Sequence, residues 1–334
     1  MNTVKQLPLN SKDELYTELR DKNFNAVGPT LSRKAKAVSN AFGELKEAKD
    51  ASSASLLEFK QFSKHLKDRL PQMKSLQQSV TTHTTIAEMI KEKTDSSTFL
   101  EVLQVEQELV NNQKIHQTLD FLEDAACQEV DMLRVLRVAC LQCALSQGLK
   151  PKTLETYRKL ILQAYGHVHL PSLINLEKSK LLYHNPSPSA SSPYSILRKR
   201  LNLTQDDVNE QNPTDITYVH SVFAPMSIRL VQNCAKPGWR AIRDILDLIP
   251  AGPSFEEHQS SGQNKKRNSD AGGLKRALVV FIGGCTFAEI AALRFLSQQE
   301  DATTEYMVAT TSIMNGNSFL DGLLAKTHDS MASF

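Results

Sequence analysis

Residues 277–312 read ALVVFIGGCTFAEIAALRFLSQQEDATTEYMVATTS and decide the fold of the C-terminal part of the chain. The apolar run Ala277–Ile282 is typical of a buried strand, and a glycine pair follows it as a tight turn. Thr286 and Glu289 have the spacing of a capping box, which marks the start of a helix. A second strand is predicted at Tyr306–Thr311. The stretch therefore predicts one strand–helix–strand unit of a parallel sheet.

A single unit of this kind cannot cover both faces of a parallel sheet, so its partner strands must come from elsewhere. The only other predicted strand is Tyr218–Val222, followed by a helix at Trp239–Leu246. The rest of the sequence predicts helices. The expected fold is mainly α with a C-terminal α/β part: a long helical hairpin and a helical bundle, then the second half of a parallel-sheet α/β domain.

The N-terminal helices show an apolar face from Phe24 to Phe42 with a three-to-four-residue period. Capping boxes are predicted at Ser11–Glu14 and at Thr85–Glu88. Because an interior proline is costly in a helix, Gly28-Pro29 predicts a break with Pro29 opening a new helix, and Pro71 should end or kink the next one. Together these segments predict a long helical hairpin.

Residues 97–183 predict a denser group of helices. One apolar stripe runs from Ile115 to Ala144, and Gly148 with Pro151 supplies a stop. Further helices are predicted at 153–165 and 173–182. Two polar linkers follow, at His184–Ser195 and Pro250–Gly273, the second disordered at its centre. The predicted divisions are residues 1–120, 121–184 and 185–334, with a disordered loop at 252–273.

Composition excludes several classes of function. The 39 basic and 37 acidic residues give a net charge of +2, which offers no general attraction for nucleic acid or anionic lipid. No apolar run approaches the roughly 18 residues of a membrane span. The N-terminal residues lack the apolar core of a secretory signal. Five cysteines in mostly helical, apolar surroundings suit a reducing, cytoplasmic setting.

Three motifs could carry chemistry, and each has a plainer structural interpretation. Cys140 and Cys143 have C-x-x-C spacing but no second ligand pair, so core packing is favoured. His167 and His169 could share one side of a strand, yet no further metal ligand lies at a suitable spacing. The Gly283-Gly284 turn resembles a phosphate-binding turn but lacks the residues of a dinucleotide or Walker motif. The sequence therefore predicts no catalytic residue, no cofactor and no metal site, and a nucleotide-binding protein using this turn is the alternative.

The proline-containing segment Leu66–Val80 is the better functional candidate. A proline in an exposed apolar helix can create a tip that rearranges or docks a partner helix. An ordinary bend within a helical domain is the competing interpretation, and the pattern alone does not separate the two.

Several segments resemble the Sec/Munc (SM) family of SNARE regulators over nearly the whole chain. Leu15–Val27 is similar to the entry into domain three of that family, and Arg69–Met73 with Thr82–Glu88 is similar to its proline-containing hairpin. Asn175–Lys178 and 280–311 narrow the resemblance to the lysosomal and vacuolar, class C members. Family members also have an N-terminal α/β domain and the first half of domain two, and neither is expected here. Gly28-Pro29 departs from the uninterrupted helix of the family.

The resemblance implies a non-enzymatic subunit of HOPS and CORVET tethering complexes, acting in membrane fusion at late endosomes and lysosomes or vacuoles. Its implied location is cytoplasmic, with peripheral membrane association only through the complex. The implied partners are SNARE helices and the class C tether subunit that has a propeller and a helical solenoid; no nucleic acid is implied. The implied SNARE-binding residues are Leu66, Leu70, Pro71, Met73 and Leu76, and the implied tether-binding residues are His167 and Leu170.

Overall fold

The computed structural model describes residues 6–51, 56–113, 117–185, 193–249, 275–300 and 302–325, without the side chains of 45–51, 56–69 and 239. The predicted disordered loop lies outside these residues. The chain forms two compact units: one extends to Ser96 and includes Asn209–Thr214, and the other comprises Ser97–Val208 and the residues from Asp215 onward. The predicted divisions at residues 120 and 184 remain predictions.

The first unit is the predicted long helical hairpin. It contains α1 (Glu14–Leu19), α2 (Phe24–Ala51) and α3 (Leu56–Thr94). Helices α2 and α3 pack against each other, and α1 packs against α3. Its apolar core contains the buried side chains of Leu15, Leu19, Leu31 and Val80.

The helix break predicted at Pro29 is wrong, and Pro71 does not end its helix; a kink at Pro71 remains a prediction. Helix α2 runs unbroken through Pro29, and α3 runs unbroken through Pro71. A proline removes only one backbone hydrogen bond, and the packing of the surrounding helix can outweigh that loss. Next to Pro29, the hydroxyl of Thr30 donates to the carbonyl of Ala26 over 2.8 Å. Gly28-Pro29 is therefore no interruption of the helix.

Both capping boxes predicted in the first unit are also wrong. Helix α1 is capped by Asp13, whose side chain accepts from the backbone N–H groups of Leu15 and Tyr16, whereas Ser11 accepts from Arg20 instead. Thr85 lies inside α3, and its hydroxyl donates to the carbonyl of Thr81. A capping-box spacing inside a long helix is thus no start signal, because the backbone N–H groups there are already paired.

Asp13 also ties α1 to α3. Its carboxylate accepts from the Ser79 hydroxyl and lies 2.8 Å from Nε2 of the buried His83. The ring of His83 stacks against Tyr16, with centroids 6.1 Å apart. Burial raises the pKa of Asp13, but hydrogen bonds from His83, Ser79 and the Tyr16 N–H outweigh it and hold the pKa below the usual 3.8.

The second unit begins with a helical bundle. Its helices are α4 (Ser97–Val110), α5 (Thr118–Cys127), α6 (Met132–Leu145), α7 (Pro151–Tyr165) and α8 (Leu170–Lys178). Ile115 lies outside the described residues, and the rest of the predicted stripe to Ala144 forms two helices, separated by a turn in which Glu129 has a positive φ of 55°. The predicted stop before α7 is confirmed, since Gly148 has a φ of 98° and Pro151 opens the helix.

Helix α6 is the centre of this bundle. Helices α4, α5 and α7 all contact it. Cys140 and Cys143 are buried in it, as core packing predicts, and burial raises the pKa of Cys140 to about 12. On its half-buried side, Arg137 donates to Glu106 of α4 over 2.6 Å.

The α/β part contains α9 (Pro193–Arg200), α10 (Met226–Ala235), α11 (Arg243–Leu246), β1 (Lys275–Phe281), α12 (Phe287–Gln298), β2 (Thr304–Thr310) and α13 (Gly316–Asp321). Strands β1 and β2 are parallel, with Leu278 opposite Met307. The capping box of Thr286 and Glu289 is present at the start of α12. The predicted strand–helix–strand unit is confirmed.

The strand predicted at Tyr218–Val222 is wrong. Ile216–His220 form a 3₁₀ helix, whose N-cap Asp215 accepts from the Thr217 N–H. Asp215 is also held by two hydrogen bonds from the guanidinium of Arg229, at 2.8 and 2.6 Å. The ion pair and the N-cap stabilise the 3₁₀ conformation of this segment. Its apolar side chains therefore reach the core without the backbone pairing to another strand.

The two-stranded sheet buries only one face. Val279, Phe281, Tyr306 and Val308 pack against the core that includes Ala292 and Leu293 of α12. The opposite face, here called the open sheet face, is exposed and apolar. Its residues, with their exposed fractions, are Leu278 (61%), Val280 (58%), Met307 (46%) and, just beyond β1, Ile282 (89%).

The glycine pair after β1 is required by geometry. Gly283 and Gly284 have φ values of 102° and 124°, which side chains rarely adopt. A Cβ on Gly284 would also press against the side chains of Met314 and Ser312 and lie 3.2 Å from the Ser312 carbonyl oxygen, whereas one on Gly283 would meet open space.

Gly284→Ala should therefore loosen the sheet more than Gly283→Ala. Both variants strain φ, but only the first adds a steric conflict, worth roughly 2 kcal/mol more. Amide hydrogen exchange of β1 and β2 measures the difference. Equal amide exchange rates in the two variants would mean that the close approach at Gly284 does not affect the stability of the sheet.

Asp13→Asn keeps a cap but removes the charge beside His83. The pKa of Asp13 is lower in the folded than in the unfolded chain. The ionised carboxylate therefore stabilises the first unit at pH values above the unfolded pKa. This stabilisation is lost as the pH falls through the folded pKa. Because 33% of the side chain is exposed, the loss at pH 7 should be only about 1 kcal/mol.

Urea unfolding of the wild type and the Asp13→Asn variant, compared from pH 7 down to below 3.8, checks this expectation. The difference in unfolding free energy between the wild type and the variant should shrink toward zero as the pH falls through the lower part of that range. Asp95→Asn, at an exposed position of the same unit, is the control and should change little. A difference that stays constant with pH would contradict the role of the Asp13 charge.

Candidate functional site

The structure places all five predicted SNARE-binding residues on α3, within one continuous helix. Leu70 and Met73 lie one turn apart and are half-buried, whereas Pro71 is exposed. Leu76 is exposed to 37%. The side chain of Leu66 lies outside the described residues. Helix α3 thus presents the apolar side chains of Leu70, Met73 and Leu76 at least partly to solvent. These three residues are here called the α3 surface.

The residues around the α3 surface are polar. Gln72, Lys74, Ser75, Gln77 and Gln78 are all exposed. One turn further on, Ser79 and His83 hold α1 through Asp13, so the C-terminal end of this segment is fixed against the rest of the unit. An apolar strip within a polar helix surface can take the apolar face of an amphipathic partner helix.

Sequence analysis missed two further exposed apolar residues of α3. Met89 is exposed to 65% and Ile90 to 43%, near the C-terminal end of the helix. The predicted capping box at Thr85 assigned these residues to a new helix and concealed that they continue α3.

The predicted tether-binding residues lie where α7 turns into α8. Helix α7 ends at Tyr165. Its C-cap Gly166 has a φ of 98° and turns the chain, and His167–His169 form one turn of 3₁₀ helix. The possible strand with two paired imidazoles, which the sequence did not favour, is therefore not formed by these residues. His167 is exposed, and Leu170 opens α8 with 47% of its surface exposed.

Two neighbours of Leu170 that sequence analysis missed enlarge this surface. Val168 is exposed to 57% and Ile174 to 41%. Leu170 and Ile174 are four residues apart and so share one side of α8. Val168, Leu170 and Ile174 are here called the corner patch. The four-residue spacing of Leu170 and Ile174 was visible in the sequence, but spacing alone does not show whether that side of the helix is exposed or buried.

The corner patch rests on a fixed support. The opposite side of α8 buries Ser172, Leu173 and Leu176 in the bundle core. At the end of α7, the Tyr165 hydroxyl donates to the carbonyl of Val130 over 2.6 Å. Burial, followed by the charge of Asp131, raises the pKa of this phenol, so it remains a donor. The corner patch is therefore exposed on a turn that buried side chains of α8 and the Tyr165 hydrogen bond hold in place.

The glycine turn does not favour phosphate binding. The N–H of Gly283 donates to Thr311 Oγ1 and that of Cys285 to the Ser312 carbonyl, both over 3.0 Å. The N–H groups of Thr286 and Glu289 are used by the capping box. These four N–H groups are therefore already paired, and the carboxylate of Glu289 would repel a phosphate at this turn.

The described residues also bear on metal binding and on membrane insertion. No group of three or more His, Cys, Asp or Glu side chains is arranged to hold a metal ion there. None of the helices described is long and apolar enough to cross a membrane.

Comparison with known proteins identifies the relatives of this chain. It is 47% identical to the vacuolar protein sorting-associated protein 33A of Rattus norvegicus over 97% of its residues. It is 38% identical to the protein of the same name from Drosophila melanogaster over 96%. These matches cover 52% of each relative, so the chain spans about half the length of the curated proteins it resembles.

A solved structure has a similar fold. It is described as the SM protein Vps45 in complex with the Qa SNARE Tlg2, and it matches with a TM-score of 0.53 and 14% identity. The match covers 94% of this chain and 50% of that one. The model of the Sec1 family matches residues 2–322, nearly the whole chain. The chain belongs to the Sec1 family.

Proposed function

We propose that this chain is part of a class C SNARE regulator, a non-enzymatic subunit of HOPS- and CORVET-type tethering complexes. It acts in vesicle-mediated transport and fusion at late endosomes and lysosomes or vacuoles. It reaches those membranes from the cytoplasm, through the complex. The observation that carries the proposal is the likeness to vacuolar protein sorting-associated protein 33A along 97% of the chain.

The proposed SNARE-binding site is the α3 surface. The structural neighbour is a complex of an SM protein with a Qa SNARE, which makes a SNARE helix a natural ligand for the same fold. A SNARE helix is amphipathic, and its apolar face can pack on Leu70, Met73 and Leu76 while the flanking polar side chains of α3 set its orientation. Pro71 and Leu66 belong to the same proposed contact by resemblance.

The proposed tether-binding site is the corner patch with His167. Exposed clusters of large apolar side chains on a rigid support are typical of protein interfaces. The partner is the class C subunit with a propeller and a helical solenoid, whose helices can cover Val168, Leu170 and Ile174. His167 and Leu170 are the contacts that the resemblance implies, and Val168 and Ile174 extend them.

The open sheet face belongs to the same proposal. Parallel sheets are almost always covered on both faces. We propose that further α/β elements, of the kind found in the other half of the longer relatives, cover Leu278, Val280 and Met307 in the whole protein. Among the described residues β1 and β2 pair only with each other, so each strand leaves one edge that could associate with another chain.

Leu76→Asp should weaken binding of a fluorescein-labelled Qa-SNARE motif peptide by at least about tenfold, because it places a charge within the apolar contact. Fluorescence anisotropy measures the change. Leu103→Asp is a matched control, since Leu103 is also 37% exposed but lies on α4. If Leu76→Asp and Leu103→Asp weaken peptide binding equally, or if neither weakens it, the α3 surface is not the SNARE-binding site.

Leu170→Asp should weaken binding of the class C tether subunit by about thirtyfold while leaving the helices folded, since Leu170 is half exposed and its loss leaves no cavity. Isothermal titration measures affinity, and far-UV circular dichroism measures folding. Ile196→Asp, at an exposed apolar position on α9, is the control. Undiminished binding by folded Leu170→Asp would exclude the corner patch.

A further inference from the structure

A groove on the helical bundle remains unused by the proposed function. Helices α4 and α5 both pack against α6, and a groove of about 440 Å³ lies along the surfaces of α4 and α5. Thr98, Glu101, Val105 and Glu108 recur at helical spacing along its α4 side. It is separate from the corner patch, because none of the patch residues lines it.

The floor of the groove is apolar. Val102, Leu109 and Ala125 are buried beneath it, whereas Val105 and Phe121 are half-buried and retain exposed surface. These two side chains lie on different helices and face the same groove. They provide a contact for a large apolar side chain of a ligand.

The rim of the groove is acidic on both sides. Glu101 and Glu108 lie on the α4 side, and Asp120 and Asp124 lie on the α5 side. The side-chain amide of Gln104 donates to Glu108 over 3.0 Å and so orients that carboxylate. Among the described residues that line the groove, none is Lys, Arg or His. No basic residue of the described lining therefore offsets the charge of these carboxylates.

The spacing of the rim carboxylates suits an extended ligand. Glu101 and Glu108 are seven residues apart, which is about 10 Å along a helix. That separation corresponds to about two turns of a second helix laid along the groove. The carboxylates are not gathered into a metal-binding group within the described residues. Cationic side chains distributed along a helix match this pattern better than a single ion does.

We propose that the groove between α4 and α5 binds a basic amphipathic helix of a partner protein. Apolar side chains of that helix, spaced three or four residues apart, pack on Val105 and Phe121. Its flanking Lys or Arg side chains pair with the carboxylates of Glu101, Glu108, Asp120 and Asp124. This is a third docking surface, beyond the SNARE and tether contacts proposed above.

The test uses the full chain and three labelled helical peptides of about 18 residues, long enough to form a helix on binding. The first peptide has a leucine stripe flanked by lysines. The second replaces the stripe with serines, and the third replaces the lysines with glutamates. Fluorescence anisotropy should show saturable binding of the first and at least about tenfold weaker binding of the other two.

Charge reversal locates the binding site. Glu101→Lys combined with Asp124→Lys should weaken the first peptide about tenfold. Glu155→Lys combined with Asp206→Lys adds the same charge at exposed positions of the same unit, away from the groove, and should have little effect. Leu170→Asp should also leave this binding intact, which separates the groove from the corner patch.

Three outcomes would overturn the proposal. Equal binding of the leucine and serine peptides would indicate an acidic surface without an apolar groove. Equal losses in the two double variants would indicate non-specific charge attraction. No binding of the lysine–leucine peptide to the wild-type chain would exclude a basic helix as the ligand, and this result does not depend on any variant folding.

Discussion

The burial of α6 is the interaction on which the second unit depends. Val135, Val138 and Ala139 are completely buried, and α4, α5, α7 and α13 all pack against this helix. Arg137, on its remaining side, donates to Glu106 of α4 and to Asn317 of α13, and so joins the bundle to the C-terminal helix. The groove lies on α4 and α5, which pack against α6, and the corner patch lies on α8, whose Leu173 and Leu176 share an apolar core with α6. A stable α6 is therefore needed for either surface to keep its shape.

The sequence predicted those elements that depend on local, repeated signals. The strand–helix–strand unit was predictable because Thr286, Glu289 and the two glycines act within a few residues of one another. It could not predict that α2 continues through Pro29 or that Ile216–His220 form a 3₁₀ helix. In the first case, packing along a long helix outweighs one lost hydrogen bond. In the second, the ion pair of Asp215 with Arg229 joins residues whose proximity no local pattern reveals.

The candidate sites were predicted from the resemblance and only partly from the pattern. Leu70, Met73 and Leu76 lie on α3, and His167 and Leu170 lie at the turn into α8, on exposed or half-buried positions. Val168 and Ile174 were missed because residue type alone does not distinguish an exposed apolar side chain from a buried one. Exposure is decided by which side of the helix faces the core, and it was the burial of Leu173 and Leu176 that turned Leu170 and Ile174 outward. The groove was missed for the same reason.

The most direct test of the central claim is size-exclusion chromatography of this chain coexpressed with the class C propeller–solenoid subunit. We predict that the two co-elute as a complex, because the corner patch is exposed and lies on a helical bundle whose apolar core is distinct from the one beneath the sheet. Separate elution of a soluble and helical chain would contradict the assignment to a tethering complex.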